Sequence, residues 1–315
     1  MNKLFGLFLL AVAFLAPVGA EAANRFAVCT TTCTWDNSST AMWSTASGGA
    51  TGASAPTSAD AVIIDAATCV GGTTCTITTF AGIISAQTIT WGACTASTTG
   101  CIIDASANNT NFTISSAGAD AFSGTGTGTR KWLGGTGTYA LTNSGTNDCI
   151  DMSTTTNDQG SVFSGATWSC SGTSSSAARN WNGGGFSYGP TTFNANTSRG
   201  ALGIGGSNTF ASLTINGPQQ IIVGANQTIT GALTLTGVSN SQPVQFNSNS
   251  LSTARTISIG SASTGTWASL RDITTSGAAA LTVSNCFNNG NVTLANGGAC
   301  NTPAGGAAGG KIIGG

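Results

Sequence analysis

The feature that most constrains this chain is how short its apolar stretches are. Runs in which aliphatic or aromatic residues alternate with Thr, Ser or Asn recur from residues 61–65 to 291–295, and Gly, Asn and Ser separate them. A period of two puts one set of side chains on a buried face and the other in water, as in a half-buried strand. No stretch beyond residue 23 combines a 3.6-residue apolar period with strong helix formers, so the chain is expected to be all-β. In the second half the strand centres, near Leu233, Gln245, Ser258, Arg271, Thr282 and Thr293, fall about a dozen residues apart. Two or three such strands make one coil of a β-solenoid, but β-sandwiches show similar spacing. Composition favours the solenoid. Thr, Asn and aliphatic residues stack like on like in such a coil, and Asn and Gly supply its left-handed corners.

The opening residues point to export. Lys3, an apolar run over residues 4–17 and small residues ahead of Asn24 have the order of a secretory signal peptide over residues 1–22. No second apolar run is long enough to span a membrane. All ten cysteines follow it: Cys29, Cys33, Cys69, Cys75, Cys94, Cys101, Cys149, Cys170, Cys286 and Cys300. An even number in an exported chain points to disulfides and to a secreted, extracellular or cell-surface setting. Taken in order the cysteines make local pairs that staple loops, although spacing leaves the connectivity open. Only 6% of the residues are charged and the net charge is −1. Without a basic patch, neither nucleic acid nor an anionic membrane surface is an expected partner.

Residues 209–217 (Thr, Phe, Ala, Ser, Leu, Thr, Ile, Asn, Gly) and 219–237, with Gln227 to Thr236 at their centre, resemble repeat segments of secreted parallel β-helix proteins. Adhesin-like passenger regions and bacterial and phage-associated surface proteins belong to that group. Residues 43–65, with Gly48, Gly49 and Pro56, are similar to the opening rungs of such chains. The resemblance is clearest over 181–298. It implies a right-handed parallel β-helix outside the cell, and it implies no reaction. On this reading residues 23–57, with Trp35 and Trp43, form an N-terminal cap, and 58–300 form the solenoid. Residues 116–188, richer in Gly, Ser and Asn, are expected to be irregular or inserted, and 301–315 to be a flexible Gly-rich tail.

The chain has no histidine, and its one glutamate, Glu21, lies in the leader. That excludes Ser-His-Asp and Cys-His arrangements and histidine zinc sites; Cys-x-x-Cys spacing is missing too. Aspartate remains. Glycosidic hydrolysis needs two carboxyls across the sugar, and no adjacent Asp pair stands out. Arg271 and Asp272 are expected to point to opposite faces of a strand. Asn147, Asp148, Asp151 and Asp158 are hard oxygen donors that suit Ca²⁺, although their spacing is not that of an EF-hand and a polar loop tied by Cys149 is the simpler reading. Trp168, Arg179, Trp181, Asn182, Phe186 and Tyr188 form a candidate glycan-binding group, because aromatic faces beside amides stack on sugar rings; packing within the stack is the alternative.

These readings lead to a secreted structural or adhesive solenoid without catalysis and without an obligatory cofactor. Its expected partners are glycans, cell-surface components or copies of itself. The alternatives are a polysaccharide lyase or glycosidase on the same scaffold, and a phage fibre or receptor-binding protein.

Overall fold

The computed structural model describes residues 22–70, 74–92, 100–125, 130–145, 147–153, 160–172, 179–195 and 200–303. The expected leader, apart from Ala22, and residues 304–315 of the expected tail lie outside them. The described residues are all-β, with strands from Asn24–Ala27 to Ala299–Cys300 and no helix. None of them forms a helix long and apolar enough to cross a membrane.

Asn24–Ala27 pairs antiparallel with Trp43–Ser44; the other strand pairs are parallel. Parallel neighbours cannot be joined by a hairpin and need a long connection. Here one or two other strands fill each connection. Ala61–Ile64 pairs with Thr88–Trp91, which pairs with Phe122–Gly124, and that strand with Ile150–Asp151. Arg179–Asn182, Ala201–Gly205 and Gln219–Val223 continue this first ladder.

Register turns the alternating pattern into columns. In the first ladder Val62, Ile89, Phe122, Ile150, Trp181, Ile204 and Val223 lie one above the next, all buried. In a second, Ala86, Ile114, Leu141, Cys170, Phe193, Ile215 and Leu235 follow one another, then Gly265, Val283 and Cys300. A third begins with Cys33, Ile77, Ile103 and Trp132. Single bridges, Leu133 to Val162 and Phe163 to Tyr188, lead it on to Phe210, Ile229 and Ile259. Burying each large aliphatic or aromatic side chain contributes about 1.5–3 kcal/mol, and all three columns face one shared core.

Residues 116–188 differ from the sequence expectation. Their strands, among them Arg130–Leu133, Thr138–Asn143 and Thr167–Gly172, pair within the same ladders. The small residues occupy outward positions, corners and close approaches, while the inward positions hold the largest side chains. Gly137 and Gly189 lie against the carbonyls of Thr110 and Ala166, where a Cβ would collide.

Disulfides join Cys29 to Cys33, Cys69 to Cys75, Cys149 to Cys170, and Cys286 to Cys300. These are pairs of sequence neighbours. Cys101 is also disulfide-bonded, and Cys94 lies outside the described residues. Several disulfides indicate an oxidising, extracellular environment. Corners use the residues expected of them, with Asn291 and Asn296 at φ 51° and 58°, while Asn285 takes φ 50° within the strand Leu281–Asn288. Asp272 sits at φ 54°, which breaks the strand alternation beside Arg271. The two side chains therefore meet, Arg271 Nε to Asp272 Oδ2 at 3.6 Å, rather than facing apart.

Candidate functional site

The aromatic group proposed for sugar stacking is core. Trp168, Trp181 and Tyr188 occupy inward positions and are 0%, 0% and 1% exposed, so no ring face is open to a glycan. Trp168 stacks on Tyr139 at 4.2 Å and donates Nε1 to the Phe163 carbonyl at 3.1 Å. The Tyr188 hydroxyl donates to the Gly183 carbonyl at 2.8 Å. Phe186 is half-buried with its ring 5.4 Å from Phe163. Arg179 is fully buried, and Asn182 lies half-buried on the outer face. A repeat marked these positions as internal. Arg130, Trp132, Gly134, Gly135 and Tyr139 recur at the same spacing as Arg179, Trp181, Gly183, Gly184 and Tyr188. Two copies of one spacing signal a recurring core element rather than a unique ligand platform, although Arg130–Leu133 stands in the third ladder and Arg179–Asn182 in the first.

The outer face of the first ladder holds the polar chemistry. Asp148 is 8% exposed. Its Oδ1 accepts from Asn180 Nδ2 at 2.7 Å, and its Oδ2 from Asn182 Nδ2 at 2.6 Å. Its backbone N–H donates to Asp120 Oδ1 at 2.9 Å. Burial pushes the Asp148 carboxyl up to about 6; the Asn180 amide opposes this, and the charges of Asp120 and Asp151 add to it. Three aspartates from two successive layers thus share one neighbourhood. Asp120 went unnoticed in the sequence, although it precedes Phe122 by the same two residues by which Asp148 precedes Ile150.

Of the residues expected to ligate Ca²⁺, Asp148 and Asp151 belong to this group. Asn147 is half-buried beside it, and Asp158 lies outside the described residues. Each Asp148 oxygen accepts one amide hydrogen, so Asn180 and Asn182 hold the carboxylate and leave one lone pair on each oxygen. A second cluster, Cys69, Cys75 and Cys101, gathers three buried sulfurs within 4.8 Å. All three are disulfide sulfurs, not the thiolates that bind metals.

Beyond Asp148 amides recur among small, apolar and charged residues. Asn180, Gly203, Ile222, Asn247 and Arg271 lie in register, as do Ala201, Gln220, Gln245 and Ser269. Gly203 and Gly205 leave room for the Asn180 and Asn182 carboxamides to lie against the sheet. Next to these rows a groove of about 100 Å³ is lined by Gln220, Gln242 and Gln245, with Pro218 and Pro243 at its sides. Amides in this setting can donate to and accept from neutral polar ligands. Compared with protein-family models, curated proteins and solved structures, the chain matches none of them, and its reading rests on its own residues.

Proposed function

We propose that the chain is a secreted right-handed parallel β-helix that acts as a structural or adhesive surface. It binds glycans or other cell-surface components, or copies of itself, through its polar outer face and performs no catalysis. Residues 23–57 cap one end and 58–300 form the coil. Three parallel ladders separated by short corners support the architecture, and the disulfides support the setting. The observation that carries the function is the in-register pair Gln220 and Gln245 on the outer face, which line the groove together with Gln242. Repeated weak polar contacts on a rigid face become useful through multivalency.

The test is a glycan array probed with the oxidised protein, with the same spots assayed for new reducing or unsaturated ends. Binding without cleavage, weakened by Gln220→Ala with Gln245→Ala, is expected. No binding, or binding indifferent to those changes, removes the glycan-binding reading and leaves self-association, read by sedimentation.

One observation favours a second reading, a glycosidase. Asp148, with its carboxyl raised to about 6, lies in the field of Asp120 and Asp151. A carboxyl raised by burial beside further carboxylates is the pattern of a general acid in such enzymes. Cleavage on the array that Asp148→Asn abolishes would establish it over adhesion.

A further inference from the structure

Arg130–Leu133 and Arg179–Asn182 open on the same inward pattern, an arginine followed two residues later by a tryptophan. Both arginines are 0% exposed. In the first strand Arg130 Nη1 and Trp132 Nε1 find partners. Arg130 Nη1 donates to the Trp91 carbonyl at 2.9 Å and to the Thr125 carbonyl, and the guanidinium lies 5.0 Å from the centre of the Trp91 ring. Trp132 Nε1 donates to the Tyr139 hydroxyl at 2.9 Å.

In the second strand their counterparts do not. Arg179 Nε, Nη1 and Nη2 have no hydrogen-bond partner among the described residues, and neither has Trp181 Nε1. Tyr188, the counterpart of Tyr139, directs its hydroxyl to Gly183 instead. The guanidinium lies across Gly172, where a Cβ would collide with Nη1. Among the described residues no carboxylate compensates the charge. Asp148 gives both oxygens to Asn180 and Asn182, and burial alone lowers the Arg179 pKa, with no acidic group contributing.

A guanidinium stays protonated in proteins. A buried charge without a partner is strongly destabilising. A side chain with three unpaired donors and a long flexible stem would leave the core unless a counter-charge held it there. We infer that Arg179 binds a small monovalent anion, of the halide class, inside the stack. One guanidinium balances one negative charge, and a sphere accepts donors from any direction. Trp181 Nε1 is the neighbouring unpaired donor on the same inward face. This site is independent of the outer-face reading, since neither Arg179 nor Trp181 reaches solvent.

The experiment is thermal unfolding of the full oxidised protein in sodium chloride, bromide or gluconate at one ionic strength. Gluconate is too large to enter. Chloride and bromide are expected to raise the midpoint by several degrees over gluconate. Arg179→Met should abolish that difference and, in gluconate, be at least as stable as the parent. Arg130→Met should keep the difference. Equal midpoints in the three salts, or a halide effect that survives Arg179→Met, would overturn the inference. Should Arg179→Met not fold, a crystal of the parent grown in bromide decides. An anomalous peak in contact with the Arg179 guanidinium supports the site, and no peak there refutes it.

Discussion

The two halves of the stack fill the same three columns with different material. From Trp43 to Phe210 the core is a continuous run of ring contacts, from Trp35 on Trp43 at 5.3 Å to Trp181 on Phe210 at 6.2 Å. After Phe210 it is almost wholly aliphatic, with Ile221, Ile229, Leu235, Ile257 and Leu281, and Phe246 as the exception. The backbone pairing does not change between them. Parallel register therefore does not demand a particular side-chain type, only that neighbours in a column be compatible. Rings bring polar edges, however. The aromatic half must find acceptors for indole and phenol groups, and it is also the half that holds Arg130, Arg179 and the raised carboxyl of Asp148. The aliphatic half has no such obligation.

The largest effect should come from emptying a column. Trp181→Ala should cost about 3–5 kcal/mol and Leu235→Ala about 2–5 kcal/mol in chemical denaturation. A loss at Trp181 no greater than at Leu235 would mean that the aromatic half is loosely packed, and would break the contrast. Opening the last disulfide by Cys286→Ser with Cys300→Ser should cost about 3 kcal/mol, measured the same way. Its 14-residue separation lies wholly in the aliphatic half, so the ring contacts of the other half should persist in near-ultraviolet circular dichroism.

Acid should act on the aromatic half through Asp148. Its folded pKa, about 6, lies above the ordinary 3.8, so the fold favours the protonated form. Stability from this group therefore rises as pH falls from 7 towards 4, and Asp148→Asn should flatten that rise in the melting temperature. Asp60 behaves oppositely. Its carboxyl is lowered despite burial, by bonds from Thr57 and Ala23 and the charge of Arg25, so its contribution is present above 3.8 and lost at lower pH. The smallest effect is Tyr188→Phe. Removing the bond to Gly183 should cost about 1 kcal/mol, and a cost near zero would show that ring packing alone holds this layer.

Much of the strand pattern was legible because a period of two survives any change of inward residue type, and local cysteine spacing suggested pairs that the fold contains. What alternation cannot show is which phase faces inward. Trp168, Trp181 and Tyr188 looked like a ligand platform because their shared phase with Phe163 and Phe210 is defined by register between layers, not by neighbours in sequence. Asp120 was not linked to Asp148 for the same reason: the two become neighbours only once Phe122 pairs with Ile150. Arg271 and Asp272 failed differently. The alternation rule assumes extended backbone, and one residue at positive φ cancels it.

The columns also determine how such a chain can come into being. Each strand of a ladder pairs with a partner about 20–30 residues upstream before its other edge is covered by the next, as from Ile204 to Val223 or from Val62 to Ile89. Closing a loop of that length carries a modest entropic cost that is nearly the same at every step. A finished layer is then a template for the next, and assembly can advance from one end as the polypeptide emerges.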